Sequence, residues 1–275
     1  RRQRQMCIRD RLYRNGVNLK ILTVGDVVSP YGCDYLMKTL PKLKRDYSAD
    51  LTIVNAENSA AGNGVLPKSA QSVFDAGADV ITLGNHALRR PEIYDYLERE
   101  KYIVRPANYH PSAPGRGTVI VDKGYAKAAV INLQGAVYLD AVHNPFECAK
   151  EEIAKAREAG AGTIIIDFHA EATSEKRALG FYLDGEASVI FGTHTHVQTS
   201  DNQILPNGTG YITDIGMTGP RDSVLGVAPH CVIEKFRTGL PVRFKNEDGP
   251  CVVEGCFFET DNKTGKTVFT EIFRR

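Results

Sequence analysis

From Leu19 onward, short apolar runs alternate with stretches of helical periodicity, and five of the runs end in oxygen or nitrogen donors. "ILTVG" ends in Asp26, "LTIVNA" in Glu57 and Asn58, and "VITLG" in Asn85 and His86. "TIIIDF" ends in His169, and "SVIFGT" in His194 and His196. Strand–helix alternation restricts the chain to a layered α/β architecture. Ligands of open α/β sheets bind beyond the carboxyl ends of the strands, so a sheet built this way gathers these eight residues along one edge. "FGTHTHVQT" reads as a strand leaving the core, with its two imidazoles side by side because alternate strand residues share a face.

The other elements follow from period and punctuation. A helix after the first strand carries Leu36, Leu40, Leu43 and Tyr47 on one face, with a kink expected at Pro41. "PKSAQSVFDAG", "RPEIYDYLERE", "FECAKEEIAKAREAG", "SEKRALGFYLDG" and residues 229–238 read as helices. "GTVIVDKGYAKAAVINLQG" reads as a hairpin turning at Lys123–Gly124, "GTGYITD" as a strand, and the C-terminal stretch from Cys251 as a second hairpin. "AAGNGVL" holds a GxG but lacks the third glycine and the strand-to-helix spacing of a dinucleotide fingerprint, so it reads as a flexible loop. Residues 19–275 are expected to form a single domain.

Charge is uneven along the chain. Residues 1–20 hold seven Lys/Arg against one Asp (+6), which leaves −5 of the total +1 for the remainder. That balance argues against an extended nucleic-acid surface on the folded part. The leader 1–18 has no hydrophobic periodicity and is read as disordered or extraneous. No apolar stretch approaches the ~18 residues needed to span a bilayer, and nothing reads as a secretory signal. The six cysteines are scattered without a CxxC, which suits a reduced, cytoplasmic protein.

Each donor has an ordinary alternative. Asp26 and Asn58 fit caps or turns, Asn85–His86 a simple turn, and His169 a hydrogen-bonded core histidine. Turn residues need not be of ligand type at all five strand ends, so the joint pattern favours metal. Carboxylate, amide and imidazole donors without thiolate suit Mn, Fe or Zn in a reactive site. Eight donors exceed the needs of one ion with an open position and suit two, roughly 3.5–4 Å apart in hydrolytic sites. The surplus positive charge would stabilise a bridging hydroxide and an anionic substrate such as a phosphoester. An early HxH, the mark of amidohydrolase-type metal hydrolases, is missing.

"GD", "GNH" and "GTHTH" in this order resemble the metallophosphoesterase (calcineurin-like) superfamily. Val28 stands where its first-strand histidine would be, and Glu57–Asn58 replaces its Gly-Asp. Both departures are shared by the YmdB-like branch, which this chain resembles over nearly all of residues 19–273. The matching stretches include "NAEN", "RPANY", "DFHAEATSEK" and "YITDIGMTGP". Ser29, where a glycine is usual, and "GNHALRRPEI" depart from that branch. The resemblance implies an α-β-β-α sandwich with mixed sheets and hairpins. It implies one ion on Asp26, Asn58 and His196, another on Asn85, His169 and His194, a bridging Glu57, and His86 as catalytic acid. It implies a phosphodiesterase for small cyclic nucleotides, notably 2′,3′-cyclic ones, with Fe or Mn, and zinc as a third candidate. A phosphomonoesterase or nucleotidase, or a metal-binding regulatory module, is the alternative. A homo-oligomer is compatible.

The remaining polar residues are read as ordinary. Arg105, Arg116, Arg177 and Arg221 are placed on the surface, and Thr173 and Ser174 cap a helix on which Lys176 is solvated. Glu171 is a candidate orienter of a ligand. His110, His143 and His230 have no companion donors.

Overall fold

The computed structural model describes residues 18–140 and 142–275, and in it the apolar runs form two mixed sheets. The first contains β1 (Leu19–Val24), β2 (Asp26–Val27), β3 (Leu51–Asn55), β4 (Val80–Thr82), β5 (Ile103–Val104), β12 (Met217–Pro220), β13 (Cys251–Thr260) and β14 (Thr267–Arg274). Its order is β2-β12-β13-β1-β3-β4-β5, with β14 beside β13. The second runs β10 (Gln203–Ile204), β11 (Gly210–Ile212), β9 (Val189–Thr193), β8 (Thr163–His169), β7 (Lys127–Gln134), β6 (Thr118–Asp122). The described helices are α1 (Ser29–Asp46), α2 (Pro67–Asp75), α3 (Tyr94–Arg99), α4 (Pro145–Glu158), α5 (Thr173–Tyr182) and α6 (Pro229–Thr238).

Strand alternation builds four layers from these parts. On one face of the first sheet Ile21 and Ile53 meet Val130, Ile165, Val189 and Phe191 of the second. On its other face Leu22, Val24, Val54 and Ile81 pack on Leu36, Leu40 and Leu43 of α1. The outer face of the second sheet, with Ile131, Ile164 and Ile166, receives Ile153 of α4 and Leu179 of α5. Each such buried aliphatic side chain stabilises the fold by about 1.5–3 kcal/mol. This is the α-β-β-α sandwich that the family resemblance implies, and the layered α/β architecture that strand–helix alternation predicts.

Helix α1 runs through Pro41 without ending. The proline cannot donate to the carbonyl four residues back, on Met37, and that residue is exposed, so water can satisfy it. Both hairpins form as read: β6 pairs β7 around a left-handed Gly124 (φ 82°), and β13 pairs β14. The leader lies outside the described residues except Asn18, whose amide donates to Glu259 Oε1 at 2.8 Å.

Two expectations about the strand ends change. The donors do not lie along one sheet edge. Asp26, Glu57, Asn58, Asn85 and His86 come from the first sheet, and His169, His194 and His196 from the second. The site therefore sits where the two stacked sheets end together. The HxH pair is also not on a strand: β9 stops at Thr193, and His194 (φ 96°) and His196 (φ 61°) both take the left-handed conformation. A bend, not strand alternation, brings both rings to the same place.

Candidate metal centre

Glu57, His169 and His194 offer ligand atoms that all lie within 4.8 Å of one another. Parallel strands deliver them: β1, β3 and β4 run together in one sheet, and β7, β8 and β9 in the other. Close approach at Gly84 is needed, since a Cβ there would collide with the His169 ring and the Glu57 carboxylate. Asn85 and His86 follow on that turn. The His86 backbone N–H donates to Glu57 Oε2 at 3.0 Å.

Outward hydrogen bonds fix the tautomer of each clustered histidine. His169 Nδ1 donates to Thr193 Oγ1 at 2.9 Å, and Thr193 in turn donates to Asp167 Oδ1 at 2.7 Å. His194 Nε2 faces Glu171 Oε2 at 3.0 Å, and His196 Nδ1 donates to the Leu225 carbonyl at 3.2 Å. The nitrogens left facing inward are His169 Nε2, His194 Nδ1 and His196 Nε2. Around His169 Nε2 stand Glu57 Oε1 at 3.1 Å, Asn85 Oδ1 at 3.0 Å and His194 Nδ1 at 3.0 Å.

Lone pairs directed at one another repel unless a proton or a cation lies between them. Without a cation the proton goes to His169: burial pulls its imidazole down, but Glu57, Asp26 and Asp167 outweigh this and hold it up at about 9. His194 is pushed down to about 3 by burial and by the charge of His169, so it stays a neutral donor. Burial raises Glu57, yet His169 and His86 overcome it and hold the carboxylate well below its usual range.

The residues also fit a second cation. Asp26 is fully buried, and its Oδ1 has no hydrogen-bond partner. That atom lies 3.7 Å from His196 Nε2, while Oδ2 accepts the His194 backbone N–H at 3.2 Å. Burial raises the Asp26 carboxyl against the opposing pull of His196 and His169. An orphaned buried carboxylate oxygen is costly, and a cation removes that cost. Asn58 reaches this cluster with its amide nitrogen, 2.8 Å from Glu57 Oε1 and 3.4 Å from His196 Nε2. Its oxygen accepts from His86 Nδ1 at 3.1 Å. Asn58 thus presents oxygen to an ion only after a half-turn of the amide, which would release His86.

Several residues read as ordinary are not. Lys176 is buried, not solvated, and its ammonium donates to the Thr193 carbonyl and to Asp214 Oδ2, both at 2.8 Å. Asp214 also accepts from the Thr195 backbone N–H at 3.1 Å. The pair grips the chain on both sides of His194 and so sets its left-handed bend. Thr173 and Ser174 do not cap α5, because the helix already begins at Thr173, with Ala172 at its N-cap. Arg105 is buried rather than on the surface, donating to the carbonyls of Pro106 and Ala113. Arg116 donates to the Glu98 carbonyl, Arg177 lies over Phe181 and Tyr211, and Arg221 pairs with Asp222. Glu171 orients His194, not its nearer sequence neighbour His169. His110 and His143 line a separate cavity of 520 Å³ beside Tyr109 and Gln134, and His230 contacts Cys231 at 3.3 Å.

Asp167 and Thr193 were not singled out from the sequence. The one signal for Asp167 is a carboxylate inside an apolar run, two residues before His169 and therefore on the same strand face. There it also accepts from Asn55 and Thr82.

A family model described as YmdB-like protein matches residues 22–273. The 2′,3′-cyclic-nucleotide 2′-phosphodiesterase of Bacillus subtilis (strain 168) is 47% identical over 253 residues, 92% of this chain and 96% of that protein. A crystal structure from Mycoplasma pneumoniae, described as a novel phosphatase, superposes with a TM-score of 0.89 at 38% identity, covering 95% of this chain and 94% of that one. A Thermus thermophilus protein described as hypothetical gives 0.87 at 36% identity, covering 94% and 99%. With its strand-end donors converged as described, this chain belongs to the YmdB-like family of metallophosphoesterase-fold proteins.

Proposed function

We propose that the chain is a dinuclear metal phosphodiesterase that hydrolyses 2′,3′-cyclic nucleotides. The observation that carries this reading is the set of inward-facing lone pairs around Glu57, each histidine locked by its outer nitrogen. Asn85, His169 and His194 would hold one ion, Asp26, His196 and a turned Asn58 the other, and Glu57 would lie between them. Bound there, the cations would neutralise the phosphoryl oxygens and lower the pKa of an attacking water. Iron or manganese suits this mixed carboxylate, amide and imidazole set.

His86 supplies the proton. Its Nδ1 lies 3.4 Å from Glu57 Oε1, a partner that remains when Asn58 turns to an ion and releases it, so Nε2 is the nitrogen that exchanges a proton with substrate. Hydrolysis of a cyclic phosphate expels a ribose alkoxide, a poor leaving group. Protonation by a positioned histidine is typically worth about 10²–10⁴-fold.

The relative from Bacillus subtilis is named for this activity, which supports the substrate class. No described helix is long and apolar enough to cross a membrane. The five described cysteines are free, and burial pushes Cys33 and Cys256 up to about 12; inert, unpaired thiols suit a reducing compartment such as the cytoplasm.

The test is elemental analysis of purified protein, paired with hydrolysis of 2′,3′-cyclic AMP before and after chelation. About two metal equivalents and a chelator-sensitive activity restored by manganese are expected. Metal-free protein with undiminished turnover would sink the reading.

A further inference from the structure

We infer that the apolar wall beside the metal centre is a nucleobase subsite, with Phe244 as its stacking platform. The inference rests on the cyclic-nucleotide reading above and assigns where the rest of that substrate lies.

The donors open into a cavity of 330 Å³. Glu57, Asn58, His86, His194 and His196 line it together with Val28, Leu225, Val227 and Phe244, which supply apolar surface. The volume sits near the lower end of small-molecule sites, roughly 300 Å³, which suits a mononucleotide. Phe244 and Leu225 are each 44% exposed. That exposed ring and side-chain surface is available to a flat apolar ligand in the cavity.

The wall is tied to the reacting groups. Leu225 takes a left-handed conformation (φ 56°), and its carbonyl is the acceptor that orients His196. Residues 226–228 pair with 245–247: Ala228 N–H donates to the Lys245 carbonyl at 2.9 Å, and Glu247 N–H to the Gly226 carbonyl at 3.0 Å. Asn246 accepts the Gly62 backbone N–H across the cavity mouth at 3.3 Å. The Lys235 ammonium stands 4.9 Å from the Phe244 ring centroid. The ring is thus held on a pinned segment. In a 2′,3′-cyclic nucleotide the base and the phosphate hang from one ribose, so the base subsite must adjoin the cluster, and the wall begins at Leu225, whose carbonyl lies 3.2 Å from His196 Nδ1. Stacking is tolerant of base identity, so the subsite selects nucleotides over baseless phosphodiesters without strongly choosing among bases.

The experiment compares wild type, Phe244→Ala and Phe244→Tyr, all loaded with manganese, on 2′,3′-cyclic AMP and on 1,2-cyclic glycerophosphate, which keeps the five-membered cyclic phosphodiester but has no base. In Phe244→Ala the ratio of kcat/KM for the nucleotide over the baseless compound falls by about 5- to 150-fold, the equivalent of one stacked base. The loss appears in KM, because stacking is equal in ground and transition states. Phe244→Tyr keeps the wild-type ratio. An unchanged ratio in Phe244→Ala overturns the subsite while leaving the phosphodiesterase reading intact. A wild type that hydrolyses neither compound overturns both.

Discussion

The Thr193 hydroxyl accepts the Nδ1 proton of His169 at 2.9 Å, and this contact decides which nitrogen His169 presents to the cluster. Thr193→Val keeps the shape of the side chain and removes the acceptor. Metal affinity is expected to fall about 10–100-fold, the usual cost of losing a partner behind a metal-binding histidine. Calorimetric titration of metal-free protein with manganese measures it. Equal affinities in the two proteins would show that Thr193 does not set the tautomer.

His86 reaches the cavity without being needed by either triad of ligands. His86→Ala is therefore expected to lower kcat on a cyclic nucleotide about 10²–10⁴-fold while retaining the wild-type metal content by elemental analysis. Wild-type turnover in this variant would remove the acid from the mechanism.

The Lys176–Asp214 pair is buried on both sides. Lys176→Met leaves the Asp214 charge without its cation, which is expected to cost about 3–5 kcal/mol in urea unfolding. The same change frees the carbonyl before His194, so manganese should bind more weakly as well. A variant that unfolds at the wild-type urea concentration contradicts the clamp.

Metal removal should expose a pH dependence of stability. His169 has a folded pKa of about 9 in the metal-free protein against about 6.5 for an unperturbed histidine. A raised pKa contributes stability that is fully present below the unfolded value and is lost as pH rises through the folded one. The metal-free protein is thus expected to lose melting temperature between about pH 6.5 and 9. Metal replaces the proton, so the loaded protein should resist this loss and melt higher throughout. Thermal scans with and without chelator across that range test it, and parallel curves would contradict the assignment.

Ser29 begins α1 in a left-handed conformation. It has φ 65° and a buried hydroxyl with no hydrogen-bond partner. A left-handed residue bearing a Cβ costs about 1–2 kcal/mol. Ser29→Gly is therefore expected to stabilise the fold by about 1 kcal/mol, read as a higher urea midpoint. A lower midpoint would show that the side chain packs usefully.

Asp26, Glu57, Asn85, His86, His169 and the HxH pair were all legible, because a donor that ends an apolar run is visible without coordinates. The layered fold was legible for the same reason: period-two and period-3.6 apolar patterns report which faces are buried. What lies behind the ligands was not. Asp167 looks like an interruption of a strand, Thr193 like its last residue, and Lys176 like a solvated helix position. Their roles depend on partners far along the chain, 26 residues away for Asp167 with Thr193 and 38 for Lys176 with Asp214.

The order of residues alone therefore determined the chemistry on offer, a set of hard and borderline donors at strand ends. Only the stacking of two sheets decided that the donors come from both, that His194 and His196 meet the site through a bend, and which nitrogen each ring turns inward. Local sequence governs periodicity. Tautomer, burial and convergence are set by neighbours that the chain brings together only when it folds.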